Sequence, residues 1–136
     1  MRYLGLDLGT TTLGVAISDK TNTIASPLKL IKFAKEDYES ALEQLLNITK
    51  EYNITQVVLG LPKNMDNSLG FASNRSLKFK EMLENIGLIV HLEDERLTTV
   101  EAINILKNNG MKKINKSKKT DIVASQLILE SFLRKL

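Results

Sequence analysis

Four separated acidic positions carry the chemistry this chain could do. Asp7 lies among Leu4, Leu6 and Leu8 in an apolar run. Asp94 and Glu95 close a second strand-like run, Asp121 lies near the start of the last helical stretch, and Asp66 follows a third apolar run. A carboxylate in apolar company costs several kcal/mol unless a cation or hydrogen-bond donors meet it, so Asp7 calls for a partner. Phosphodiester hydrolysis with two metal ions needs such a group of carboxylates, because ions roughly 3.5–4 Å apart must activate water on one side and stabilise the leaving oxygen on the other. Hard, oxygen-seeking Mg2+ or Mn2+ suits these donors, whereas a chain with no Cys and one His is poorly equipped for zinc.

The individual residues carry competing readings. In a strand over 88–96, Glu95 shares a face with Glu93 and His91, and Asp94 shares the other with Leu92 and Val90. Alternation leaves both acids open, and Glu95 is preferred as the inward one. Asp121 could serve only the helix dipole as a first-turn acid, but it falls on one side with Ala124, Ser125 and Ile128, which favours a site role. Asp66 reads as a turn residue and His91 as structural rather than catalytic. Gly5, beside Asp7 on the same strand face, is expected to leave room for a cation or phosphate. Gly9, Thr10, Thr11 and Thr12 could form either a phosphate-cradling hairpin or a tight turn that needs glycine for its backbone.

Charge is unevenly placed. Lys112, Lys113, Lys116, Lys118 and Lys119 fall within 112–119, and these five lysines exceed the net charge of +3, leaving the remainder slightly acidic. Such a cationic loop suits contact with a phosphate backbone, the alternative being a solvated loop without a partner. Few aromatics, 5% of residues, argue against sequence-specific stacking on single-stranded bases.

The elements that must position these residues follow from periodicity. Runs at 2–9, 11–19 and 23–31 alternate as strands, with turn residues at 19–22, and Pro27 favours a sheet edge. Residues 36–52 carry Tyr38, Ala41, Leu42, Leu45, Leu46 and Thr49 on one helical stripe, closed by Asn53. A β-branched run at 54–62 reads as a buried central strand, followed by a polar loop at 63–70 and a helix over 71–87 ending at Gly87. A fifth strand at 88–96, a helix at 98–110 with Thr98 and Glu101 at capping-box spacing, the lysine loop and a last helix at 120–133 complete the chain. The expected class is α/β: a mixed five-stranded sheet flanked by helices, in one domain over 1–136. No run approaches the length of a membrane span and no leader pattern is evident, so the expected location is cytoplasmic, with no membrane partner.

Four stretches, LGLDLGTTTLGVAISD, VVLGLPKNMDNSLG, EDERLTTVEA and TDIVASQLILESFL, resemble the signature segments of the YqgF family, also called RuvX: Holliday junction resolvase-like proteins regarded as nucleases that mature the 5′ end of 16S ribosomal RNA. The resemblance spans nearly the whole chain in order. It implies an RNase H-like fold and metal-dependent phosphodiester cleavage by Asp7, Glu95 and Asp121 as catalytic residues and metal ligands, with Mg2+ or Mn2+ as cofactor. Arg96, Thr98 and Thr99 are implied as lining residues, and Gly60-Leu61-Pro62 with Asn64 and Asp66 as a bordering loop. Ser125-Gln126 departs from the smaller apolar residues usual there, and Glu93 precedes the DER element. The expected nucleic-acid contacts are the five lysines with Arg96, Thr10 and Thr11, and the partner is precursor rRNA or branched DNA, engaged by a monomer or homodimer. Two other readings compete: a non-catalytic nucleic-acid-binding or ribosome-assembly adaptor, which would bind RNA equally well after Asp7→Asn, and an ATP-binding protein, since DLGTTT also resembles the phosphate hairpin of the sugar kinase, actin and heat-shock ATPase superfamily. The second needs another glycine-rich hairpin that this chain lacks.

Overall fold

In the computed structural model, which describes residues 1–62, 70–94 and 116–136, alternation along the first strand decides the layering. Strand β1 (Tyr3–Leu8) turns Leu4, Leu6 and Leu8 to one side and Tyr3, Gly5 and Asp7 to the other. It pairs antiparallel with β2 (Thr12–Ser18), which pairs antiparallel with β3 (Ala25–Lys32), giving the expected meander. Helix α1 (Tyr38–Tyr52) then crosses the sheet so that β4 (Gln56–Leu61) adds parallel to β1. Helix α2 (Phe71–Asn85) makes a second crossover, and β5 (Ile89–Asp94) adds parallel to β4. The strand order is β3-β2-β1-β4-β5. Helix α3 (Lys116–Leu133) is the third helix among the described residues, and the helix expected at 98–110 lies outside them.

Each face buries its own core. Leu4, Leu6, Leu13, Val15, Val57 and Leu59 meet Leu45, Phe79 and Leu83 of α1 and α2. Ala16, Ala25 and Val58 meet Ile128, Leu129 and Leu133 of α3. Fully burying one such aliphatic or aromatic side chain is worth about 1.5–3 kcal/mol, so the thicker α1–α2 layer supplies most of the apolar stabilisation. Pro27 sits on edge strand β3 as expected, where the register shifts between Val15 and Ala16 so that Ala16 faces Pro27. An irregularity on an edge strand tolerates the missing amide donor.

The caps are local. Asp37 accepts a hydrogen bond from the Ser40 amide at the start of α1, and Asn53 closes that helix in the left-handed conformation. Gly87, with φ of 96°, closes α2, where its amide donates to the Glu84 carbonyl at 3.0 Å. The Asp19 carboxylate organises the β2–β3 turn, accepting from Thr21 Oγ1 at 2.6 Å and from the amides of Thr23 and Ile24 at 2.8 and 3.1 Å. Those donors, Thr21 first, hold its carboxyl down to about 2 from an ordinary 3.8. A depressed carboxyl stabilises the fold above its unfolded value and loses that contribution as pH falls through the folded one. An NMR titration of the Asp19 side chain should therefore show a midpoint near 2, moving upward in Thr21→Val; an ordinary aspartate midpoint in the unmodified chain would contradict the turn geometry.

Two expectations are corrected here. The lysine segment was expected as a loop over 112–119, but α3 already begins at Lys116, placing Lys116, Lys118 and Lys119 on a helix. No Gly or Pro follows Gly110 to break it, and the straight-chain lysines have high helix propensity, so the helix extends N-terminally despite the dipole. Asp121 accordingly stands in the second turn rather than the first. Because the dipole effect fades beyond the first turn, it does not account for an acid there.

Candidate active site

The carboxyl ends of parallel strands β1, β4 and β5 lie along one edge of the sheet, the usual ligand-binding edge of such folds. Asp7 is the penultimate residue of β1 and is half-buried on the α3 side. On β2 its partner is Gly14. On β4, Leu6 pairs with Leu59, so Gly60 is level with Asp7 one residue further on, and Gly60 in turn pairs with Glu93 of β5. Neither strand position flanking Asp7 carries a side chain, so the carboxylate rises from a floor of bare backbone.

Helix α3 runs against β1 in the opposite sense. Phe132 meets Tyr3 with ring centroids 5.3 Å apart, whereas Ser125 and Leu129 lie over Gly5. A Cβ on Gly5 would stand 2.5 Å from the Ser125 carbonyl oxygen and 2.7 Å from Leu129 Cβ. The space expected at Gly5 for a cation or phosphate is therefore filled by the helix: the glycine is there to let α3 down onto the sheet. From this crossing point, Asp7 is two residues or about 6.6 Å along the strand. Position 121 is four residues or about 6 Å back along the helix. Strand and helix backbones thus advance together toward the same end of the molecule. Ser125 itself is buried and donates from Oγ to the Ile122 carbonyl at 2.7 Å, and Gln126 Nε2 donates to the Ala25 carbonyl at 3.1 Å. These bonds explain how α3 accommodates polar residues against the sheet.

Along β5, Asp94 is exposed and Glu93 is buried, on opposite faces. Glu93 accepts a hydrogen bond and ion pair from Lys135. The sequence reading did not single out this buried charge; the signal available was an acid next to His91 on the same strand face, with the counter-charge 42 residues away. His91 is structural as expected: its Nε2 lies 2.8 Å from Gln56 Oε1 and its ring packs against Phe132 with centroids 4.8 Å apart.

The Gly9–Thr12 hairpin spends its Gly9 amide internally, donating to the Thr12 carbonyl at 2.7 Å. The carbonyls of Thr11 and Thr10 accept from the Phe33 and Glu36 amides at 3.0 and 2.8 Å. Gly9 is not in the left-handed region; the constraint on it is space, since a Cβ would stand 3.3 Å from Thr12 Oγ1. Thr10 is half-buried and Thr11 exposed at the same sheet edge as Asp7. Glu95, Arg96, Thr98, Thr99, Lys112, Lys113, Asn64 and Asp66 lie outside the described residues. Among the described residues no three acidic or imidazole groups converge as a metal cluster.

The family model described as "RuvX: Holliday junction resolvase" matches residues 1–135. The chain belongs to the RuvX family. Membership places it among nucleases, which hydrolyse phosphodiester bonds. A RuvX-family relative from Streptococcus pyogenes serotype M5 (strain Manfredo), named "Putative pre-16S rRNA nuclease", is 42% identical over 137 residues, covering 99% of each chain. Similar solved structures include Thermus thermophilus RuvC in complex with a Holliday junction substrate, at a TM-score of 0.60 and 17% identity, covering 99% of this chain and 96% of that one. The fowlpox virus Holliday junction resolvase aligns at a TM-score of 0.62 and 21% identity, covering 100% of both chains. At these identities the likeness is one of fold: this RuvX chain has the RNase H-like architecture, with an antiparallel β1-β2-β3 meander on one side of the sheet and parallel additions of β4 and β5 on the other.

Proposed function

We propose that this chain is a cytoplasmic, divalent-metal-dependent nuclease that matures the 5′ end of precursor 16S ribosomal RNA, in one domain over 1–136, with Asp7, Glu95 and Asp121 as ligands and catalytic groups. The observation that carries this reading is the placement of Asp7, a half-buried carboxylate on the sheet face beneath α3, with the backbone at position 121 advancing toward the same end. The donor set fits Mg2+ or Mn2+: all three groups are hard carboxylate oxygens, and the bare positions Gly14 and Gly60 beside Asp7 do not crowd it. When bound, the metal supplies activation of water and charge stabilisation of the leaving oxygen. The protein side of the reaction is to bring Asp7 of β1, Glu95 and Asp121 of α3 together around the ion, and to hold the strand. Lys112, Lys113, Lys116, Lys118, Lys119 and Arg96, with Thr10 and Thr11 at the sheet edge, are the proposed backbone contacts.

The relatives named for pre-16S rRNA favour RNA over a four-way junction as substrate. A single RNA end needs only one site, so a monomer suffices, whereas a junction requires a symmetric pair. The test offers purified protein an RNA carrying a 5′ precursor extension and, separately, a four-way DNA junction, each with Mg2+, Mn2+ or EDTA. Cleavage of the RNA with metal and none with EDTA is expected. Cleavage of the junction alone, or undiminished cleavage in EDTA, would overturn the reading.

A further inference from the structure

A second basic feature lies at the same sheet edge on the opposite face from α3. Glu36, Tyr38, Asn74, Arg75 and Lys78 line a pocket of about 540 Å³ between the start of α1 and the first turns of α2. The pocket adjoins the Thr10–Thr12 hairpin, because the Glu36 amide donates to the Thr10 carbonyl at 2.8 Å. Helical spacing puts Asn74, Arg75 and Lys78 on one face of α2. Arg75 is half-buried and Lys78 exposed, and among the described residues neither forms an ion pair. Further along the same helix, Lys80 is by contrast neutralised by Glu84 at 3.0 Å. Two cations, an amide and a phenol therefore face one concavity against a single acid, Glu36.

We infer that this pocket binds the phosphate backbone of the substrate RNA strand as it leaves the carboxylate edge and passes over the hairpin. The inference rests on the nuclease reading for the strand's identity and adds a contact the lysine cluster does not supply. An arginine offers a planar fork to phosphate oxygens and a lysine a mobile point charge, so the pair can hold one or two successive phosphates without reading sequence. Asn74 and the Tyr38 hydroxyl add neutral donors. Glu36 opposes the ligand, which predicts opposite signs for substitutions on the two walls.

The test is fluorescence anisotropy of a labelled polyuridine strand titrated with full-length protein in EDTA across a series of KCl concentrations. For R75Q/K78Q, binding should weaken and the slope of log affinity against log salt should fall by about 1.4, two phosphate contacts at roughly 0.7 each on a single strand. Glu36→Gln should tighten binding, a change that misfolding cannot mimic. Oligothymidine should show the same losses, as expected for a contact made to phosphate. An unchanged slope in R75Q/K78Q, weaker binding in Glu36→Gln, or a loss confined to RNA would each overturn the inference. Because metal is absent throughout, these results stand apart from cleavage: a wild-type protein that cleaves nothing but shows the opposed shifts would sink the nuclease reading and keep the pocket.

Discussion

Asp7→Asn should lower cleavage of precursor RNA by more than about 100-fold, since even residues one shell outside a metal site typically cost 10–100-fold when replaced. The substitution is nearly isosteric, and the position is half-buried at the end of β1 rather than within either apolar core. Folding should therefore survive, seen as an unchanged far-ultraviolet circular dichroism spectrum and a thermal midpoint close to the parent's. Binding of RNA through the cationic surfaces should also survive. Wild-type rates in a folded Asp7→Asn protein would remove Asp7 from catalysis, whereas undiminished RNA binding with no cleavage by either protein would leave the adaptor reading in its place.

Gly5→Ala should produce the second large effect, on architecture first and activity through it. The new methyl would lie 2.5 Å from a backbone oxygen and 2.7 Å from the Cβ of Leu129, so neither neighbour can yield by rotating a side chain. Helix α3 must lift or slide. Overpacking of this kind costs about 1–3 kcal/mol, which thermal unfolding would register as a drop of several degrees. Because α3 carries Asp121 and β1 carries Asp7, the shift separates two proposed ligands, and a displacement on the order of 1 Å can cost about 100-fold in rate. Gly9→Ala is the comparison: its Cβ would stand 3.3 Å from the Thr12 hydroxyl and 3.4 Å from the Thr12 carbonyl oxygen, with no contact below 3.0 Å, and a smaller effect is expected. Equal stability and activity in Gly5→Ala and the parent would show that α3 does not rest on β1 as described.

The contrast between these glycines shows what the sequence could carry. Local periodicity was legible: the Leu4, Leu6 and Leu8 alternation, the helix closing at Asn53, the stop at Gly87 and the edge position of Pro27 all appear as expected. So was the anomaly of Asp7, because an acid inside an apolar alternation stands out without any knowledge of its neighbours. What depended on packing between distant segments was not legible. Gly5 looked like room for a ligand and is instead the contact with Ser125 and Leu129, more than a hundred residues away in sequence. Glu93 looked like an acid next to a more interesting one and is buried against Lys135. The start of α3 at Lys116 was hidden by composition, since a lysine-rich run reads as a solvated loop although each lysine favours a helix.

The central claim is that Asp7, Glu95 and Asp121 share a divalent cation, and paramagnetic broadening by Mn2+ in amide-resolved NMR of the full chain tests it most directly. At substoichiometric Mn2+ the account predicts that the amide signals of residues 7, 95 and 121 and their immediate neighbours broaden together, and that Asp7→Asn removes the broadening at all three positions. Broadening confined to one of the three, or scattered over exposed acids such as Glu39 and Glu81, would contradict it.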